Sequence, residues 1–169
     1  MRRNEQGFTL VEILVVMVII GILASLIAGN FVGTRLKARD SRRKNDLTQV
    51  QRSLEAYMND HGRYPNDDGA GSIVVDSVSL RWGVDSFQDS KNTVYMATLP
   101  DDPNSAAFRY VYVAQNDGTK YQIFAMLENV NDVGVTSGAN FPNCDDAGTS
   151  TACNFGVSSS NTTIDTALD

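Results

Sequence analysis

The chain has 169 residues, 42% hydrophobic and 20% charged, with two cysteines, one histidine and a formal net charge of −6; this is the profile of one ordinary domain and excludes a disordered or collagen-like chain. Charge is unevenly placed: residues 1–44 carry eight Lys and Arg against three acidic residues, and the remainder carries six against seventeen. The acidic body lacks the positive face that phosphate neutralisation requires, so no specific nucleic-acid partner is inferred.

The first element is apolar. Residues 8–32 contain a single charge, Glu12, and as a helix they would reach about 37 Å, enough to span a bilayer. A cleavable secretory signal has an apolar core of roughly 7 to 15 residues followed by a small-x-small site. This run is longer, and the small residues between Ala24 and Ala28 make a poor site. A short polar leader, residues 1–7, precedes it, and a carboxylate sits five residues into it. An acid inside the apolar layer is expensive unless partnered, so Glu12 is a functional candidate that calls for a cation.

Beyond the apolar run comes a basic cluster, Arg35, Lys37, Arg39, Arg42, Arg43 and Lys44. It is expected to be a solvated helix face touching anionic head groups, partly neutralised by an i,i+4 pair between Asp40 and Lys44; pairing with acidic residues of neighbouring subunits is the sharper alternative. The helix then continues, because Leu47, Val50, Leu54, Tyr57 and Met58 recur at three- and four-residue steps and no proline occurs before Pro65. Its apolar stripe needs a cover, best supplied by a small sheet from the rest of the chain. His61-Gly62-Arg63-Tyr64-Pro65 ends the helix: the glycine suits a left-handed stop and the proline cannot continue it. The lone His61 is expected in an exposed turn, solvated or capping.

Residues 72–80 are expected as a strand, and Trp82 and Phe87 as local core. Residues 108–114 alternate in the strand manner, Asn116-Asp117-Gly118 is a turn signal, and residues 119–127 supply the partner strand. After Asn129 the chain is rich in Gly, Asn, Ser, Thr and Asp and is expected as loop, frayed from about Ser158. No nucleophile motif, phosphate loop or histidine-based acid/base set occurs, so the chain is not expected to be an enzyme.

Gly7-Phe8-Thr9-Leu10-Val11-Glu12, followed by an unbroken apolar helix, resembles the class III leader of type IV pilins and type II secretion pseudopilins. Leu54-Glu55-Ala56-Tyr57 leading to Gly62-Arg63-Tyr64-Pro65, and Leu99-Pro100-Asp101-Asp102-Pro103, are similar to further patches of major pseudopilins. The resemblance implies an α+β, type IV pilin-like fold. Its parts would be a leader over 1–7, the membrane and filament-core half of the helix over 8–33, its amphipathic half over 34–61, a head with an antiparallel sheet over 62–157 and a flexible tail over 158–169. It implies cleavage after Gly7 by a prepilin peptidase, N-methylation of Phe8, and polymerisation into a homo-oligomeric helical filament with the help of an inner-membrane assembly platform and an assembly ATPase. Before assembly the chain would be a single-pass protein of the cytoplasmic membrane, among its lipids, with the head outside; afterwards it would lie in a cell-surface or periplasmic filament. The positive-inside rule, counting the basic cluster, gives the opposite orientation; the leader is followed here because its peptidase site makes sense only near the cytoplasmic face. Cleavage would create an amine on Phe8 able to pair with Glu12, within one chain or between neighbours.

The same resemblance places Cys144 and Cys153 outside the cytoplasm, where a disulfide persists, and this pair is expected to bridge. It also implies a calcium site in the loop after the last strands. Glu128, Asn129, Asn131 and Asp132, or Asp145 and Asp146, offer oxygen ligands, with Glu128, Asn131 and Asp132 the nearest candidates; their pattern departs from the family's, and the expectation is no cofactor, with solvated loop groups in its place. Many members carry a proline where this chain has Gly29, so a fixed bend there is not expected. Tyr64-Pro65 and Leu99-Pro100 lean toward the pseudopilin branch and the cysteine loop toward true pilins. The alternative to a filament subunit is an uncleaved, membrane-anchored binding or sensor protein with its head outside the cytoplasm.

Overall fold

The computed structural model describes residues 7–28, 31–136, 141–145 and 151–168, apart from the side chains of 26–28, 31 and 32. The chain divides into two compact units, 1–37 and 38–169. The first is helical: α1 runs Leu10–Ala28, and α2, Phe31–His61, begins in it. Gly29 and Asn30 lie outside the described residues, and with them the expectation about a bend at Gly29. Among the described residues no helix is long and apolar enough to cross a membrane. The 19 residues of α1 reach about 28 Å, against a hydrocarbon layer of about 30 Å. The segment predicted over 8–33 includes Gly29 and Asn30, so its continuity lies outside the described residues.

The second unit is α+β. From Asp40 onward α2 presents the expected stripe: Leu47, Val50, Leu54 and Tyr57 are buried, each side chain contributing about 1.5–3 kcal/mol relative to exposure. The helix stops where glycine permits it, with Gly62 at φ 71° donating its N–H to the carbonyl of Met58 at 2.8 Å, a left-handed C-terminal cap. His61 is the last helical residue rather than part of an open turn. Its ring stacks on Tyr57 at 4.1 Å, and Nε2 lies 3.2 Å from both Asp89 Oδ2 and the Tyr95 hydroxyl.

Among the described residues, three small antiparallel sheets cover the helix. The first is β1 (Asn66–Asp67), β2 (Ile73–Val75) and β3 (Val78–Leu80), in that order. The strand expected over 72–80 is thus a tight hairpin, because Asp76 and Ser77 both take positive φ, the signature of a two-residue turn. The second pairs β4 (Phe87–Gln88) with β5 (Val94–Met96). Phe87 is buried and Trp82 packs against the same core, as expected. The third has the order β6 (Val111–Ala114), β7 (Tyr121–Ala125), β8 (Phe155–Ser158). The expected hairpin is its first pair, with Val111 opposite Phe124 and Ala114 opposite Tyr121.

Strand alternation divides this sheet between two cores. Tyr112, Tyr121, Ile123 and Ala125 join the α2 stripe, whereas Val111 and Phe124 join Cys144, Cys153, Phe141 and Ile164. The C-terminal region differs from the sequence expectation. Residues 155–158 are a strand paired with β7, and the end beyond Ser158 folds back on the sheet: Ser159 N–H donates to the carbonyl of Tyr121, and Gln122 Nε2 donates to the carbonyls of Thr163 and Thr166. The polar composition that suggested fraying supplies these hydrogen bonds.

Candidate functional site

The first unit carries the predicted processing and assembly residues. Gly7, Phe8 and Thr9 precede α1 and are not helical; Phe8 is 82% exposed. The helix begins at Leu10 because Thr9 and Glu12 cap it reciprocally. Glu12 N–H donates to Thr9 Oγ1 at 3.3 Å, and Thr9 N–H donates to Glu12 Oε2 at 3.2 Å. The Thr9 hydroxyl also donates to Glu12 Oε2 at 3.2 Å, and the Thr9 carbonyl accepts from Ile13 N–H. This is a capping box, a Thr-x-x-Glu pattern legible in the sequence. Glu12 is thus partnered by a neighbour three residues back.

The described side chains of α1 have no buried face. Leu10 to Leu23 present nearly every large apolar residue to the outside, from 44% exposure at Ile13 to 90% at Leu10. A helix apolar all round needs lipid or other helices around it.

In the second unit the basic cluster is largely spent within the chain. Arg43, expected on a solvated face, is fully buried. Its Nε and Nη2 donate to the two oxygens of Asp102 at 2.7 and 2.8 Å, and Nη1 donates to Asp40 Oδ1 at 2.8 Å and lies 2.8 Å from Glu128 Oε1. Burial works to lower the Arg43 pKa, and the bonds to Asp102, Glu128 and Asp40 overcome it and hold the guanidinium charged. Asp40 therefore pairs with Arg43 at i,i+3, and the expected Asp40–Lys44 pair is corrected: Lys44 Nζ donates to Asp132. Arg39 forks onto Glu128 at 2.7 and 2.6 Å. Arg35 and Lys37 are exposed. Sequence reasoning missed Arg43, although a signal existed: continuing the spacing of Leu47, Val50 and Leu54 backward lands on Arg43 and Asp40, the inward side of α2.

Cys144 and Cys153 form the expected disulfide. It is tied to the segment that leads into β6, where Arg109 N–H donates to the carbonyl of Cys144, and Cys153 N–H donates to the carbonyl of Pro142.

The calcium candidates are otherwise engaged. Both oxygens of Glu128 face arginines, Asp132 Oδ1 accepts from Lys44 and from Gly134 N–H, and Asn131 is exposed, its N–H donating to Asn129 Oδ1. Among the described residues no group of three or more His, Cys, Asp or Glu is placed to hold a metal ion; Asp146 lies outside them. Calcium takes six to eight oxygens on a site of net negative charge, and this donor set, already bonded to three cations, does not fit it.

Comparison with known proteins is consistent with these features. Residues 2–28 match the family described as the prokaryotic N-terminal methylation motif, and residues 30–140 match that of type II secretion system (T2SS), protein G. The chain is similar to the type II secretion system core protein G of Dickeya chrysanthemi, 36% identical over 112 residues that cover 66% of this chain and 71% of that protein. With the protein of the same name from Aeromonas hydrophila the figures are 32% over 125 residues, 74% and 84%. With that from Vibrio cholerae they are 29% over 142 residues, 83% and 92%. No solved structure matches the chain. With the secretion-system match running through α2 and the β6–β7 hairpin, and the methylation motif lying over the capped start of α1, this chain belongs to the type II secretion system protein G family.

Proposed function

We propose that the chain is a structural pseudopilin of a type II secretion system, made as a prepilin, cut between Gly7 and Phe8 by a prepilin peptidase and methylated on the new Phe8 amine. It is then polymerised through α1 into a periplasmic pseudopilus, by way of an inner-membrane platform and its ATPase. The observation that carries this reading is the apolar exposure all around α1. A helix with no polar side is stable in lipid and equally stable among copies of itself, so transfer from membrane to filament core exchanges one apolar environment for another. The scissile Gly7–Phe8 peptide precedes the capped helix, which leaves its backbone open to a peptidase. Once the amine on Phe8 exists, Glu12 gains a cationic partner that the uncut chain lacks, and charge neutralisation in a low-dielectric layer favours the assembled register.

The first experiment is intact mass and N-terminal sequencing of the protein extracted from native membranes. A start at Phe8 with one added methyl group is expected; a start at Met1 would favour an anchored, uncleaved protein, and one near Gly29 an ordinary secreted domain. Glu12→Ala is expected to insert in the membrane and to fail in assembly. Normal filaments from that variant would remove the charge pairing from the mechanism.

A further inference from the structure

The loop after β7 is held by four charged side chains of α2, Arg39, Asp40, Arg43 and Lys44. Asp40 on α2 accepts from the backbone N–H groups of Glu128 and Asn129 at 2.9 and 2.8 Å. Arg39 and Arg43 grip the Glu128 carboxylate, and Lys44 reaches Asp132 four residues further on. At the loop's start Asn154 closes both sides of Leu127, its Oδ1 accepting from Leu127 N–H at 2.6 Å and its Nδ2 donating to the Leu127 carbonyl at 2.9 Å. At its end Gly134 leaves room for the ammonium group: a Cβ there would meet Lys44 Nζ at 3.3 Å and Asp132 Oδ1 at 3.2 Å. The cations thus occupy the carboxylates, with Arg43 buried and Arg39 and Lys44 partly exposed beside it; Arg39 and Arg43 stand one helical turn apart on α2 and Lys44 follows Arg43.

We propose that in this member of the family the loop over residues 127–134 is fastened to α2 by Arg39, Arg43 and Lys44 in place of a divalent cation, so that the head holds its native loop without calcium. The argument is electrostatic and steric. A calcium ion would have to displace Arg39 and Lys44 from Glu128 and Asp132 and then sit beside Arg43, whose guanidinium is fully buried and fixed by Asp102. Like charge at such range in a partly desolvated site opposes its entry. A covalently tethered cation also needs no supply from the medium, so the loop's order does not follow calcium concentration, as a metal-held loop's must. The proposal concerns the folding of the head and does not depend on filament assembly.

The test uses the full chain in detergent micelles at constant ionic strength. Titration calorimetry with calcium alone is expected to show no stoichiometric binding, and the unfolding midpoint to be the same in millimolar calcium and after exhaustive chelation. The double variant Arg39→Gln/Lys44→Gln is expected to unfold several degrees lower, with hydrogen exchange accelerated at the Glu128 and Asn129 amides but unchanged in the β6–β7 hairpin. One calcium bound per chain with micromolar affinity, or a midpoint that falls on chelation and recovers with calcium, would overturn the proposal. So would a double variant with the parent's stability and exchange.

Discussion

Arg43 and Asp102 meet fully buried, fork to fork, across 59 residues of sequence. The pair joins the inward side of α2 to the turn Leu99-Pro100-Asp101-Asp102-Pro103, where Asp102 Oδ1 also accepts from Asn104 N–H at 2.7 Å. Removing one partner leaves a buried uncompensated charge, so Arg43→Ala is expected to cost about 3–5 kcal/mol. Arg43→Met/Asp102→Leu, which removes both charges and keeps volume, should recover much of that loss. Denaturant unfolding of the three proteins checks it; a double variant as unstable as the single one would mean that Arg43 matters through Asp40 and Glu128 instead.

Reduction of the Cys144–Cys153 bridge is expected to destabilise the second unit by about 2–3 kcal/mol, the amount associated with closing a loop of roughly ten residues. The effect should be concentrated on the sheet face that carries Val111 and Phe124, since the two cysteines pack there, and α2 should retain its amide protection. Hydrogen exchange with and without reductant separates the two faces, and uniform loss of protection would contradict this division of the core.

The sequence made the apolar half of this architecture legible and misread part of the charged half. The stripe of Leu47, Val50, Leu54 and Tyr57, the stop at Gly62 and the β6–β7 hairpin follow from periodicity and turn chemistry, which are local. Arg43 and Asp40 continue the same stripe but look like surface residues, because a charge is assigned inward only when its partner is known. Those partners, Asp102 and Glu128, are 59 and 85 residues away. Strand β8 was hidden for a related reason: its four residues are only partly buried, and their pairing with β7 depends on the distant hairpin rather than on any pattern of their own. At the N-terminus the capping box was present as Thr9-x-x-Glu12, yet the cost of an acid in an apolar run drew attention to a missing cation before a neutral local partner.

Thr9→Ala is expected to weaken the start of α1 by about 1 kcal/mol, the usual worth of an N-cap side chain. It removes the acceptor of Glu12 N–H and one donor to the Glu12 carboxylate. In the full 169-residue chain in detergent, amide exchange at Glu12 should accelerate for Thr9→Ala and stay near the parent's for Thr9→Ser, which keeps the hydroxyl. Equal exchange in all three would mean that the box does not govern where the helix begins.

Acid should loosen the loop that α2 holds. The hydrogen bond from Arg39 keeps the Glu128 pKa below its ordinary value against the effect of burial, and Lys44 does the same for Asp132. A carboxylate whose folded pKa is depressed contributes stability that is present above its unfolded pKa, about 4.3 for Glu and 3.9 for Asp, and is lost as pH falls through the folded value. Asp46 runs the other way: burial raises its pKa, so its protonation favours the fold. The expected net result is a fall in unfolding midpoint below about pH 4, shallower in Glu128→Gln. An identical slope in that variant would remove Glu128 from the acid response.

Alkali should act through the tyrosines that line the sheet and α2. Burial, followed by the hydrogen bond to Glu55 at 2.9 Å, pushes Tyr64 up to about 12. Burial and Asp60 push Tyr95 up to about 12. Tyr110 is raised by burial and by Asp46, to which it donates at 2.9 Å. An unfolded tyrosine ionises near pH 10. Raised folded values mean that the stabilisation is complete below that pH and is lost as pH climbs from there through the folded pKa, because the unfolded chain releases protons that the native one retains. Phenolate absorbance should therefore lag in the native protein and rise together with loss of the fold. Tyr64→Phe removes one such group along with its bond to Glu55, so its stability should decline less steeply above pH ~10. A variant that declines as steeply as the parent would place the alkaline sensitivity in the other tyrosines of the core, with Tyr110, bonded to Asp46 inside the head, the next to replace.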